Sequence, residues 1–277
     1  MDFHFQYGVT CALDAPAGSP FPLVHPNIGH TMDFLSENGF HSIELHLLRP
    51  GEVNSEHILE ACAAKGLFVS SIGTGMAYSK EGLSITSPDC EVRRRAVQRL
   101  KDQLDLADKL NCCIIIGSMR GAIAPGESFS QVEKRMVDSC KELCDYAEKG
   151  RGAIAIEAID RIETNYLRTG EDVLHLIDLV GSDRLGVHLD TYHMNMEELS
   201  WVRPVDLCGD KLFHVHVADN TRLYPGSGLI DFLPFMQALK DHHYSHTLTL
   251  ECFPVPTGEE AVKLGLAHLR NVAARCK

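Results

Sequence analysis

The chain has 277 residues, 44% hydrophobic and 23% charged, which is long for one ordinary domain but usual for one α/β barrel with a large core. A net charge of −12 with dispersed lysine and arginine repels a phosphate backbone and excludes nucleic acid as the default partner. No linker or low-complexity tract divides residues 1–277, and the start, MDFHFQYGVT, lacks the basic and apolar regions of a leader. One cytoplasmic unit that avoids the membrane is therefore expected, because no apolar run approaches about 18 residues.

Apolar, β-prone runs fall at residues 5–10, 42–47, 67–72, 112–117, 153–158, 185–190, 212–218 and 247–252. Helical spacing of apolar residues covers 28–38, 55–65, 91–110, 128–149, 170–180, an irregular piece around 197–207, 233–241 and 258–275. Ser87-Pro88-Asp89 reads as a helix start with proline in the first turn, and Thr169 with Asp172 reads as a capping pair. Strands alternating with helices imply a parallel sheet. Eight such units imply a closed (β/α)8 TIM barrel rather than an open doubly wound sheet. No GxGxxG or Walker A loop opens the first unit, which argues further against a nucleotide fold. The ten cysteines include no CxxC pair and are expected to be reduced, mostly buried side chains, Cys140 and Cys144 included.

Catalytic groups of such barrels sit at the carboxyl ends of the strands. Glu157, Asp190, His216 and Glu251 stand at or near the ends of the fifth to eighth runs, separated by 33, 26 and 35 residues, about one strand-plus-helix unit each. A strand-end carboxylate alone can cap a helix, and a strand histidine alone can be a satisfied core residue. Four at successive strand ends converge on one point, and a divalent-metal site is the expectation. Three carboxylates and one imidazole suit Mn²⁺, Mg²⁺ or Co²⁺ and are less typical of a structural zinc, and they leave coordination positions for substrate oxygens. His188 and Asp190 share a strand face, as do His214 and His216. His188 and His214 are therefore expected as inner-barrel packing or as partners of the ligands, and Glu44 and His46 as candidates for the pocket wall.

The segments IEAIDRIE (156–163), LDTYHMN (189–195), HVHVADNTRLYPGSG (214–228) and TLECF (249–253) resemble the sugar isomerase/epimerase superfamily of xylose isomerase-like barrels. Within it they are most similar to the D-tagatose/D-psicose 3-epimerase group, and the likeness extends over nearly the whole chain, residues 80–117 included. The resemblance implies Glu157, Asp190, His216 and Glu251 as metal ligands, Glu157 and Glu251 as the catalytic pair, and Glu163, His193 and Arg222 as substrate contacts. It also implies a ketose or ketose phosphate as substrate, C3 deprotonation and reprotonation through a metal-stabilised enediolate, and a homodimer or homotetramer. Asp160 stands where such motifs commonly carry asparagine, and Ile162 where they commonly carry an aromatic.

An aldose–ketose, hydroxypyruvate or inosose isomerase, or a dehydratase, would use the same metal site. An abasic-site endonuclease shares the barrel but needs further histidines. The third and fourth strands end SSIGTG and IIIGSMRG, and the late loop reads GLIDF, without them. A binding barrel without catalysis leaves the assembled ligands unexplained. Arg120 with Gly117 and Gly121, and the loop Pro225-Gly226-Ser227-Gly228, are candidates to cradle a phosphate.

Overall fold

Burial on both faces is what makes the strand sequences nearly continuous apolar runs rather than alternating ones. The computed structural model, which describes residues 3–150 and 152–277, closes these runs into a barrel. Its strands are β1 (Gln6–Ala12), β2 (Ser42–His46), β3 (Phe68–Gly73), β4 (Cys113–Ile116), β5 (Ala153–Glu157), β6 (Leu185–Asp190), β7 (Leu212–Val217) and β8 (Thr247–Leu250). Each pairs in parallel with the next. Strand β8 returns to β1, with Gln6 opposite Thr247 and Val9 opposite Leu250, so the barrel has no free edge. A two-residue strand, Leu23–Val24, adds to the end of β1.

The helices are α1 (Ile28–Glu37), α2 (Ser55–Lys65), α3 (Gly75–Glu81), α4 (Cys90–Leu110), α5 (Phe129–Ala147), α6 (Gly170–Val180), α7 (Thr191–Glu197), α8 (Arg203–Cys208), α9 (Phe232–Asp241) and α10 (Gly258–Ala273). Thr169 and Asp172 form the reciprocal capping box at the start of α6. The expected start of α4 is corrected. Asp89 is its cap, accepting from Glu91 N at 2.8 Å, and Pro88 lies before the cap rather than in the first turn. The irregular piece around 197–207 holds the last residue of one short helix, α7, a non-helical link and most of a second, α8. Helix α7 starts directly after β6, and α8 starts at Arg203 with Pro204 in its first turn. Helix α3, seven residues long, is too short for an apolar period to register.

Strand alternation sorts the barrel's two faces. Val187, Leu189, Val215, Val217, Leu248 and Leu250 join the main hydrophobic core with the helices. The alternate positions Glu44, His188, His214 and His216 contact one another across the interior, and Asp190 stands opposite His216 on the neighbouring strand. The upper interior is thus polar, where barrels of this class are generally filled by branched apolar side chains. All ten cysteines are free, Cys140 and Cys144 among the buried ones. No helix among the described residues is long and apolar enough to cross a membrane.

Candidate active site

Glu157 is the last residue of β5 and Asp190 the last of β6. His216 stands one residue before the end of β7, and Glu251 directly follows β8. One ligand atom from each lies within 4.8 Å of all the others. Asp190 also caps α7, its Oδ1 accepting from Tyr192 N at 2.8 Å. Its Oδ2 is buried without a hydrogen-bond partner, and so is Nδ1 of His216. Each such orphan costs on the order of 1–3 kcal/mol. A divalent cation among these oxygen and nitrogen donors would satisfy both, and the donor set fits one.

Directly below, fully buried Glu44 gathers the neighbouring donors. It accepts from Nε2 of His216 at 3.0 and 3.1 Å, Nε2 of His46 at 2.6 Å and Ser71 Oγ at 2.5 Å, and lies 2.7 Å from Nε2 of His214. A carboxylate can only accept, so Nε2 of His216 stays committed to Glu44 and Nδ1 is left on the side of Glu251, 3.5 Å away. Burial pushes the Glu44 carboxyl up, but the charges and hydrogen bonds of His216 and His214 outweigh it and hold Glu44 well below the usual range. Burial likewise works against charge on His216, and Glu44 and Glu251 overcome it, so its pKa lies well above the usual value. A cation at Nδ1 would therefore compete with a proton. His188 packs edge-on against His216 and His214 at ring separations of 4.1 and 5.0 Å.

The two glutamates of the group are driven apart. Burial raises Glu157 to about 7; His193 opposes this and the nearby Glu251 charge adds to it. Burial also raises Glu251, but His216 and the Arg222 guanidinium override it and bring it down to about 2. One carboxyl is poised to hold a proton while its neighbour is held ionised, a pairing that suits acid and base roles in one site.

Above the group opens a cleft of about 320 Å³. Glu157, Glu163, His193, His216, Arg222 and Glu251 all line it; Asp190 is fully buried and lies beneath. Arg222 has a left-handed backbone, φ 57°, and such strain persists only where the surroundings over-determine it. Its Nη2 donates to Glu251 Oε2, its Nη1 lies 3.2 Å from His193 Nε2 and 4.0 Å from Glu163 Oε1, and its guanidinium covers the Tyr192 ring at 4.6 Å. All seven expected site residues are thus brought to one place. His46 joins the wall, its ring tilted against that of Phe21, as does the loop around Pro16–Phe21, while Glu44 sits below the cleft.

Two further features escaped sequence reasoning. Gly117 is required by Glu157, because a Cβ there would come within 2.4 Å of Glu157 Oε2. Asp160 is fully buried and bonded to His193 Nδ1 at 2.6 Å; its type was noticeable in the motif, its partner was not. The phosphate-cradle expectation is corrected. Arg120 is buried behind the site, its Nη1 donating to the carbonyls of Glu157 and Leu167. In the loop 225–228, Gly226 N is taken up by Asp219, which also accepts from Ile230 N. A second cavity, about 360 Å³, opens near the amino ends of the strands between Gln6, Ser70, Cys113, Phe213 and His246, away from the four-residue group.

The description "xylose isomerase-like TIM barrel" matches residues 32–272. The chain is 30% identical over 244 residues to an L-ribulose 3-epimerase of Methylomonas sp. strain DH-1, covering 84% of this chain and 81% of that one. It is 28% identical over 236 residues to a D-psicose 3-epimerase of Enterocloster bolteae, covering 82% and 77%. Among solved structures, the apo 3-keto-D-glucoside 4-epimerase of E. coli superposes with a TM-score of 0.83 at 22% identity, over 97% of this chain and 100% of that one, a likeness of fold.

Proposed function

We propose that this chain, which belongs to the xylose isomerase-like TIM barrel family, is a divalent-metal-dependent isomerase that inverts C3 of a ketose. The observation that carries the proposal is the buried convergence of Glu157, Asp190, His216 and Glu251 beneath an open cleft, with two of their atoms making no hydrogen bond. Similarity to 3-epimerases of L-ribulose and D-psicose supports the choice of carbon. Those four residues would hold the ion, Mn²⁺ by the oxygen-rich donor set, with Co²⁺ or Mg²⁺ as alternatives. Bound there, a divalent ion supplies Lewis-acid stabilisation of the negative charge that develops on the substrate oxygens, worth several kcal/mol.

The protein's own groups account for the proton transfers. Glu251, held ionised by His216 and Arg222, takes the proton from C3 on one face. Glu157, across the site from it, returns a proton to the other. The C3–H bond electrons pass into the enediolate and come back to form the new C3–H bond, so configuration inverts without oxidant or reductant. For the opposite epimer the two roles exchange. Each positioned proton transfer contributes roughly 10²–10⁴ in rate. His193 and Arg222 orient the carbonyl end of the sugar, and Glu163, its side chain half exposed, holds a hydroxyl further out.

The cleft favours an unphosphorylated sugar. It is lined by three glutamates, and its one arginine is already bonded to Glu251. The test is turnover of D-fructose, D-tagatose and L-ribulose by Mn²⁺-loaded protein in deuterated water, followed by NMR. Deuterium is expected at C3 of product and recovered substrate. Label confined to C1 or C2 would replace the epimerase by an aldose–ketose isomerase on the same site, and no exchange into any ketose would overturn the proposal.

A further inference from the structure

Asp160 has no contact with the cleft, yet it touches two of the three residues assigned to substrate. Its Oδ2 lies 2.6 Å from His193 Nδ1. Its Oδ1 accepts from Ile162 N at 2.7 Å and Glu163 N at 3.2 Å, closing the turn that carries Glu163. Asp160 is fully buried and His193 nearly so, and the far nitrogen of His193, Nε2, faces Arg222 Nη1 at 3.2 Å, Glu157 at 3.7 Å and Asp190 at 3.8 Å.

These contacts have a fixed direction. Arg222 has only protons to give, so its contact with Nε2 requires a lone pair there, and the ring proton must then sit on Nδ1. Asp160 has only lone pairs to give, so it accepts that proton. Its two oxygens serve two different sets of donors, and both must be acceptors. An asparagine offers one oxygen and one NH₂. It would face its NH₂ either to the Ile162 and Glu163 amides, which also donate, or to Nδ1, which would then have to surrender its proton. The amide is a poor replacement in this chain although it matches the carboxylate in shape.

We propose that Asp160 is a positioning residue whose two acceptor oxygens hold His193 in the Nδ1–H form with Nε2 toward the cleft and hold the Glu163 turn closed, so that one buried carboxylate sets two substrate contacts. It rests on the epimerase reading only in what His193 and Glu163 are taken to touch. The metal-free protein, labelled with ¹⁵N, gives a readout independent of activity, the His193 ring being assigned through His193→Gln. Long-range ¹⁵N–¹H correlation should show a proton-bearing Nδ1 and a bare Nε2 in the wild type, and a bare Nδ1 or a protonated Nε2 would overturn the assignment.

Asp160→Asn should either strip the proton from Nδ1 or move the Ile162 and Glu163 amide resonances to unbonded positions. With metal content unchanged, kcat/KM for the ketose should fall on the order of 10- to 100-fold. A variant with both NMR signatures and kcat/KM intact, or one that loses its metal, would overturn it. If Asp160→Asn does not fold, the wild-type Nδ1 reading decides. If neither protein turns over any ketose, the functional proposal fails while the NMR result still judges Asp160.

Discussion

Asp190 and His216 each bring one unsatisfied buried atom to a common point, and that shared defect separates two kinds of variant. Asp190→Asn and His216→Ala should lose metal and activity together, because each removes a donor; kcat should fall by more than about 10², with metal content read by plasma mass spectrometry. Full activity of either variant without metal would sink the ligand assignment. Arg222→Ala and His193→Ala should behave differently. Both residues reach the group from its cleft side, Arg222 through Glu251 and His193 at 3.7–3.8 Å from Glu157 and Asp190. Metal should stay bound while kcat/KM drops by about 10²-fold or more, and loss of metal would move the residue into the ligand set.

Elements matter here through what stands at their ends. Strand β4, beside β5, is followed directly by a glycine, Gly117, that leaves room for the Glu157 carboxylate. Gly117→Ala should therefore displace Glu157, weakening metal binding and costing about 1–3 kcal/mol of stability as an overpacked site. Unchanged metal affinity by titration calorimetry would show that Glu157 can move without consequence. The cap of α6 offers a control at a distance. Thr169→Ala should lower stability by about 0.5–2 kcal/mol in chemical denaturation while leaving kcat/KM as it is, because Thr169 bonds Asp172 N and lies outside the cleft.

For the whole molecule, the metal site couples stability to pH. Glu157 has a folded pKa near 7, raised from 4.5 chiefly by burial. A raised carboxyl pKa means that its contribution is fully present below about 4.5 and is lost as pH rises through 7, so the metal-free protein weakens across that window. Metal binding needs the ionised carboxylate and therefore tightens across the same window. Binding to the folded state alone adds about 2.7 kcal/mol at a hundredfold excess over Kd. The difference in Tm between metal-loaded and metal-stripped protein should widen from pH 5 to pH 7.5. A gap that stays constant or narrows in scanning calorimetry would contradict a proton-competing Glu157.

The linear sequence by itself determined the architecture and the convergence, since the eight runs and the strand-plus-helix spacing of Glu157, Asp190, His216 and Glu251 depend only on local periodicity and strand-end position. Strand alternation also placed His188 with Asp190 and His214 with His216 on common faces, and the packed rings of His188, His214 and His216 bear out the histidines' share of this. Closure decided the remainder, because it brings together strands that are remote in sequence. Glu44 reaches His216 across 172 residues; Arg120 turns its guanidinium to backbone carbonyls instead of a ligand; Asp160 meets His193 33 residues on. Each of these side chains has several partners open to it in the unfolded chain. Only burial, which charges a free-energy penalty for every unmet donor or acceptor, selects the pair that remains.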